Sequence, residues 1–303
     1  MTPWGQVFTL SVSTLLMAAG PHAGGHLSQA PSNSPEARRI VSLVPAVTEM
    51  LFAIGAGPRV VGVSSYDHFP PEVASRTRLG ALLDPDLERI LGLRPDLVVI
   101  YGSQDDLRRK LLRASVGVFD YRHGGLAHVT ATMRALGVRV GLGPDAARVA
   151  TALEGALGEV GRRVASRPRP RVLLVIDREP GSLRQVLASG GRGFLHDLLT
   201  LAGGDNVFAD VARESIHASS EVILARAPDV ILELRPGASA ETGASSVGAG
   251  AGADTAAWRA LGSVPAVRAG RVAVLVGDEY IVAGPRVALA AEGIARVLHP
   301  GGR

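Results

Sequence analysis

Short apolar runs alternate with amphipathic stretches along most of the chain. RIVSLV at 39–44 is a β-type run, and the apolar helical pattern that begins at Pro45 stops at Gly55. Proline suits a first helical turn because its missing N–H is not needed there, and a glycine past the end tolerates a positive φ. VVGV at 60–63 and LVVIY at 97–101 are predicted strands. The alternation predicts parallel strands joined by crossover helices, which is an α/β fold.

A long amphipathic helix is predicted near the middle of the chain, over 144–165. One stripe at helical spacing carries Val149, Leu153, Leu157, Val160 and Val164. About 21 residues at roughly 1.5 Å each span about 30 Å, the width of a small domain. Two interpretations fit: an ordinary packed helix, or a rigid connector between two lobes.

The pattern of one half of the chain recurs in the other half. DLERILGLRPDLVVI at 86–100 and SEVILARAPDVILE at 220–233 share a glutamate, Glu88 or Glu221, seven residues before a Pro-Asp pair and an apolar run. The repeat predicts two similar α/β lobes. Ligands gather outside the carboxyl ends of strands in such sheets and in clefts between domains, so one cleft between the lobes is expected.

A second repeated carboxylate supports the duplication. Glu49 precedes the helix-ending Gly55 by six residues, and Asp197 precedes Gly203 by six. The predicted fold is therefore two Rossmann-like lobes joined by one long backbone α-helix, with a ligand cleft between the lobes.

The predicted domain organisation has four parts. They are a signal peptide and disordered spacer at 1–37, an N-terminal α/β lobe at 38–142, a connecting backbone helix at 143–168, and a C-terminal α/β lobe at 169–303 that includes a flexible Gly/Ala/Ser loop at 237–255.

An apolar stretch at 7–20, VFTLSVSTLLMAAG, is too short to span a bilayer securely and resembles the central region of a secretory signal. The preceding MTPWGQ lacks the usual lysine or arginine, so a mis-assigned start or a short membrane anchor are the alternatives. We expect export to the periplasm or another extracytoplasmic compartment.

Composition narrows the classes of function. The 303 residues are 47% hydrophobic and 20% charged, so a substantial core is expected. The formal net charge is +4, but both signs are interspersed and no basic tract carries aromatic residues, so no nucleic-acid partner is expected. The chain has no cysteine, which excludes disulfides, thiolate metal sites, a cysteine nucleophile and a lipidated N-terminal cysteine.

Catalytic signatures are missing from the sequence. It contains no Walker A, GxSxG, HExxH or zinc-finger spacing. His123 and His128 lie five residues apart across two glycines, and fit either a metal pair or a solvated loop before a helix. We expect no catalytic residue, no metal site and no cofactor.

Two groups of residues follow predicted strands and are candidates for the cleft. DREPGSLRQ at 177–185 places Arg178 and Arg184 where they could hold anionic ligand groups, or where they form an ordinary surface turn paired with glutamate. Three of the four tyrosines, Tyr66, Tyr101 and Tyr280, also lie just past strands, with Asp278 two residues before Tyr280. Such rings favour a binding surface with apolar bodies and polar tips.

The segment RIVSLVPAVTEMLFAIGAGPRVVGVSSYDHFPPE at 39–72 resembles the opening of periplasmic solute-binding proteins for cobalamin, haem and ferric siderophores. The resemblance continues through DLERILGLRPDLVVIYGS, LAGGDNVFAD, SSEVILARAPDVILE and GDEYIVAGPR, and covers most of 38–299. It implies a monomeric, non-enzymatic protein with little hinge motion, which delivers a metal chelate to the permease dimer of a membrane ABC importer.

The resemblance also implies roles for particular residues. Glu88 and Glu221 match the carboxylates that dock onto permease arginines, one from each lobe. Leu82 and Glu279 stand where the cobalamin-binding member has tryptophans, so the cleft is less aromatic. The expected ligand-binding residues are Pro45, Ala46, Tyr66, Leu82, Tyr101, Arg178, Arg184, Asp278 and Tyr280.

The expected ligand is cobalamin or a related corrinoid, with haem or a ferric siderophore next. The other classes of function are an enzyme acting on a chelate or tetrapyrrole, and a sensor or scaffold that does not transport.

Overall fold

The computed structural model describes residues 36–80, 84–237, 246–247 and 255–301. The predicted signal peptide lies outside these residues, and so does most of the loop predicted at 237–255.

The first lobe is built on a five-stranded, all-parallel sheet. Its strands are β1 (Ile40–Ser42), β2 (Val60–Val63), β3 (Thr77–Arg78), β4 (Leu97–Tyr101) and β5 (Gly117–Tyr121), in the order β3-β2-β1-β4-β5. Its helices are α1 (Pro45–Ala53), α2 (Leu87–Gly92), α3 (Asp105–Arg113) and α4 (Leu126–Arg139). The central strands β1 and β4 are almost entirely buried because helices cover both faces of a parallel sheet.

The helix α5, Gly143–Val164, is 22 residues long and connects the two sheets. Leu153, Leu157, Val160 and Val164 are buried, as the apolar stripe predicts. This side packs on α4 of the first lobe and on two helices of the second lobe, α6 (Phe194–Leu201) and α9 (Val287–Leu298). The connector interpretation is therefore the one that the packing supports.

The second lobe has a seven-stranded sheet with a parallel centre and antiparallel edges. Its strands are β6 (Arg171–Asp177), β7 (Leu187–Ser189), β8 (Asp205–Asn206), β9 (Ser215–His217), β10 (Val230–Arg235), β11 (Ser246–Val247) and β12 (Val272–Val276). The order is β11-β12-β10-β6-β7-β9, with β8 beside β6. The remaining helices are α7 (Ser220–Arg226) and α8 (Pro265–Arg268). The predicted fold class is confirmed, since both lobes are α/β and carry parallel strands.

The repeated Pro-Asp pair has a structural task in each lobe. The Asp96 carboxylate accepts from the backbone N–H of Arg38 at 2.8 Å and of Arg39 at 3.1 Å, where the chain enters β1. The Asp229 carboxylate accepts from the backbone N–H of Arg171 at 3.0 Å, where the chain enters β6. Both aspartates therefore fix the start of a strand, which explains why the Pro-Asp pair occurs in each half of the sequence.

Gly137 lies where α4 and α5 approach most closely, and the change Gly137→Ala is expected to destabilise the protein. A Cβ there would lie 2.2 Å from the Cβ of Ala146, so the helices would have to separate. Overpacking of this kind costs about 1–3 kcal/mol in the free energy of unfolding, measured by denaturant titration. Gly155→Ala, on α5 with no atom within 4 Å of the added Cβ, is the control and should stabilise by up to ~1 kcal/mol. A Gly137→Ala protein as stable as the control would contradict this packing.

Candidate functional site

A cavity of about 250 Å³ lies where the two lobes meet. The first lobe contributes His123 and Gly124, which follow β5, and the second lobe contributes the rest of the wall. Those residues are Ile176, Leu187, Arg192, Gly193, Phe194, Leu195, Glu214 and Ser215. A concave site with apolar walls and a few polar groups is the usual form of a small-molecule site.

Aromatic rings cluster around His123, which lines this cavity. The rings of Tyr101 and Tyr121 meet edge to face with centroids 5.8 Å apart, and the His123 ring lies 5.3 Å from each. Burial lowers the pKa of His123, so its imidazole is neutral at pH 7. Burial, with smaller effects from Tyr101 and Glu214, raises the pKa of Tyr121 to about 12. This aromatic cluster is therefore uncharged at neutral pH.

The structure thus places Tyr101, a predicted ligand residue, against His123, although Tyr101 itself does not line the cavity. Sequence reasoning missed His123 as a cavity residue, although its position directly after a strand was a usable signal. Across the described part of the chain, no group of three or more histidine, aspartate or glutamate residues is placed to hold a metal ion.

Tyr66 is an exposed predicted ligand residue, with 62% of its surface accessible. It follows β2, and its backbone N–H donates to the Ser64 hydroxyl at 3.2 Å. The neighbouring Phe69 ring lies 4.2 Å from the guanidinium carbon of Arg286, a cation–π contact. Tyr66 is therefore held by an ordered loop with its ring exposed, and it does not line the cavity.

Asp278 and Tyr280, the two predicted ligand residues in the segment 278–280, differ in their burial. The Asp278 carboxylate accepts from the backbone N–H of Gly237 at 3.0 Å, and its residue is half-buried. Tyr280 is only 2% exposed and packs against Gly293 of α9, where a Cβ would lie 2.2 Å from the phenol oxygen. Tyr280 is thus packed in the core, because its turn directs the ring inward against α9.

Arg178 forms a buried ion pair with a residue of the neighbouring strand. The residue is 8% exposed, and its Nε donates to the Glu233 carboxylate at 2.7 Å. Its Nη1 donates to the Ser182 carbonyl at 2.9 Å, which fixes the following loop. Arg184 is exposed and lies 3.5 Å from the Glu179 carboxylate. The paired surface-turn interpretation therefore describes Arg184, and the charge of Arg178 is paired inside the protein with Glu233.

Glu233 is the buried acid on which several donors converge. It lies on β10 with 2% exposure, and accepts from Arg178, from Arg235 at 2.8 Å and from the indole N–H of Trp258. The apolar run VILEL does not predict this network, because a single glutamate in a strand is normally expected to face solvent.

Pro45 and Ala46 form the first turn of α1 at the carboxyl end of β1, Pro45 half-buried and Ala46 buried. Leu82 lies outside the described residues.

The family of the chain follows from the comparisons with known proteins. Residues 40–278 match the model of a family described as periplasmic binding protein. The chain belongs to this family.

Relatives and solved structures agree with this assignment. The chain is 32% identical over 198 residues to the vitamin B12-binding protein of Salmonella typhimurium, covering 65% of this chain and 72% of that protein. A crystal structure of the periplasmic vitamin B12 binding protein of Vibrio cholerae superposes with a TM-score of 0.68 at 25% identity, covering 86% of this chain and 96% of that one. A periplasmic heme binding protein from Pseudomonas aeruginosa gives a TM-score of 0.73 at 22% identity, covering 88% and 94%, and shows the shared fold.

Family membership gives this periplasmic binding protein a binding role in transport instead of a catalytic role, and an extracytoplasmic place of action. Of the helices described here, none is long and apolar enough to cross a membrane.

The two repeated glutamates of this periplasmic binding protein stand on short helices, one in each lobe. Glu88 is exposed in the first turn of α2, and the helix is capped by Asp86, which accepts from the Arg89 N–H at 2.9 Å. Glu221 is exposed in the first turn of α7, which is capped by Ser219. The caps fix both helix starts, so each carboxylate projects from a defined place.

Proposed function

We propose that this periplasmic binding protein captures a metal chelate, most favourably cobalamin or a related corrinoid, between its lobes and delivers it to the permease of an ABC importer. The observation that carries the proposal is an apolar cavity walled by both lobes, in a chain whose curated relatives are vitamin B12-binding proteins. A corrinoid presents a broad ring with methyl and amide groups around its edge, and apolar walls with a few polar groups suit such a surface.

Haem is the second candidate, and His123 is the observation that favours it. A neutral imidazole is an axial ligand for haem iron, and this one lies at the cavity wall. Haem binding through His123 would shift the Soret absorption, and the shift would be lost in His123→Ala.

The experiment that tests the proposal is a thermal-shift panel on the purified protein with cyanocobalamin, haemin and several ferric siderophores. A ligand at about 100 times its dissociation constant stabilises the folded state by about 2.7 kcal/mol, so the melting temperature should rise with saturable dependence on concentration. No shift with any chelate would overturn the proposal, and turnover of a chelate without added cofactor would favour the enzyme.

Tyr66→Ala is expected to weaken chelate binding by about tenfold, because an exposed aromatic that contacts ligand contributes more than about 1 kcal/mol. Its stability should change by less than about 0.5 kcal/mol, since the ring is mostly exposed. Leu289→Ala, which removes an equally exposed apolar side chain (60%) from α9, is the matched control and should bind normally. Unchanged affinity in Tyr66→Ala, measured by calorimetric titration, would remove Tyr66 from the site.

A further inference from the structure

Two carboxylate side chains, at equivalent positions of the repeated halves, each contact the opposite lobe. Glu49 on α1 and Asp197 on α6 each precede a left-handed, helix-ending glycine by six residues, Gly55 at φ 91° and Gly203 at φ 85°. The two side chains therefore occupy equivalent places in the duplicated halves. Each of them reaches the other lobe.

Glu49 extends from the first lobe to the start of α9 in the second. Its carboxylate accepts from Arg286 in a bidentate pair, with Oε1 2.6 Å from Nη2 and Oε2 3.0 Å from Nε. Arg286 is the N-cap residue of α9, and its Nη1 also donates to the Glu279 carboxylate at 3.3 Å. Both partners of the pair are largely buried, so the geometry is constrained and water competes little.

Asp197 makes the opposite crossing, from the second lobe to the start of α4 in the first. Its Oδ2 accepts from the Leu126 backbone N–H at 3.0 Å. The N-cap residue of α4, Gly125, has no side chain to cap the helix, so Asp197 serves as the cap. A carboxylate at this end also interacts favourably with the helix dipole.

A glycine makes room for each carboxylate. A Cβ on Gly125 would lie 2.1 Å from Asp197 Oδ2, and a Cβ on Gly284 would lie 2.9 Å from Glu49 Oε2. Any larger residue would displace the incoming side chain. Both crossings therefore share three parts: a carboxylate on the helix with the glycine stop, a glycine opposite it, and the N-terminus of the last helix of the other lobe.

We propose that Glu49 and Asp197 form a reciprocal interlobe clasp, in which each lobe holds the first turn of the other lobe's last helix. The clasp and α5 together fix the spacing of the two lobes, and with it the width of the cavity and the separation of Glu88 from Glu221. The two carboxylates are positioning residues.

Interlobe spacing can be measured directly because the chain has no cysteine of its own. Spin labels at Lys110→Cys on α3 and Arg268→Cys on α8, both exposed positions, report one distance between the lobes. The labelled parent is expected to give one narrow distribution without ligand. Glu49→Gln combined with Asp197→Ala is expected to broaden and shift it, and each single change should do so less.

Asp210→Asn is the matched control. It breaks the bidentate contact between Asp210 and Arg226 at 2.9 and 2.8 Å, which stays within the second lobe, and should leave the distance distribution unchanged. A parent-like distribution in the clasp double variant would overturn the proposal.

Two further variants test the clasp if Glu49→Gln unfolds the protein because Arg286 has lost the charge of its partner. Gly125→Ala and Gly284→Ala displace the carboxylates without removing a charge, and should broaden the same distribution. In Asp197→Ala, hydrogen exchange at the Leu126 amide should be about fivefold faster, the change expected on losing one cap. Parent-like distances in both glycine variants, with unchanged exchange at Leu126, would contradict the clasp even if chelate binding proved correct.

Discussion

Glu233→Gln is expected to cost about 3–5 kcal/mol of unfolding free energy, the largest stability effect foreseen for a single change in this protein. Glutamine keeps the shape of the side chain and removes the charge that holds Arg178 and Arg235. Arg178 is almost fully buried, so water would compensate poorly for the lost charge of its hydrogen-bond partner Glu233. Denaturant titration with a fitted midpoint and slope measures the loss.

A surface pair provides the comparison for this change. Glu292→Gln breaks the contact between Glu292 and Arg163 at 3.2 Å, in which both side chains are about half exposed. Exposed pairs contribute about 0–1 kcal/mol, so this variant should stay close to the parent. Equal stabilities for the Glu233 and Glu292 variants would show that the buried network contributes little. Adding Arg178→Met to Glu233→Gln should recover part of the loss, because it removes the buried charge that Glu233 no longer balances.

The double change Glu88→Ala with Glu221→Ala is expected to have the largest functional effect. If the two exposed glutamates are the docking contacts, their removal should weaken binding to the permease by at least about tenfold while chelate affinity stays unchanged. The parent's docking should also weaken as salt rises, because exposed charges are screened. Binding to the permease in lipid nanodiscs measures the effect.

The control for docking removes one exposed carboxylate from each lobe at other places. Glu72→Ala with Glu292→Ala carries the same change in net charge as the docking double variant. Normal docking by the control and weak docking by the Glu88 and Glu221 variant would show that docking depends on where these carboxylates lie and not on net charge. Loss of chelate affinity in the docking variant would contradict the role given to these glutamates.

Much of the fold follows from local pattern. Apolar periodicity locates α5 and the central strands, because a buried face imposes its spacing on the sequence within a few turns or residues. The repeated Pro-Asp pair reports the duplication for the same reason, since Asp96 and Asp229 each hold a nearby strand start.

Contacts across the chain do not follow from local pattern. Glu49 meets a partner 237 positions away and Asp197 a partner 71 away, so neither contact leaves a trace in the surrounding residues. For Tyr280, the local sequence pattern and the packing in the fold indicate different positions for the ring. Its position after a strand indicates a cleft residue, but only the space beside Gly293 determines that the ring turns inward.

The central claim is that a metal chelate binds in the cavity between the lobes, and calorimetric titration with cyanocobalamin tests it most directly. The parent protein should bind one corrinoid per chain. Ser215→Trp, which fills the cavity from the wall of the second lobe, should abolish binding, and Ser263→Trp at an exposed position should not. Equal affinities for the parent and Ser215→Trp would contradict the account, as would no heat of binding with cyanocobalamin, haemin or a ferric siderophore.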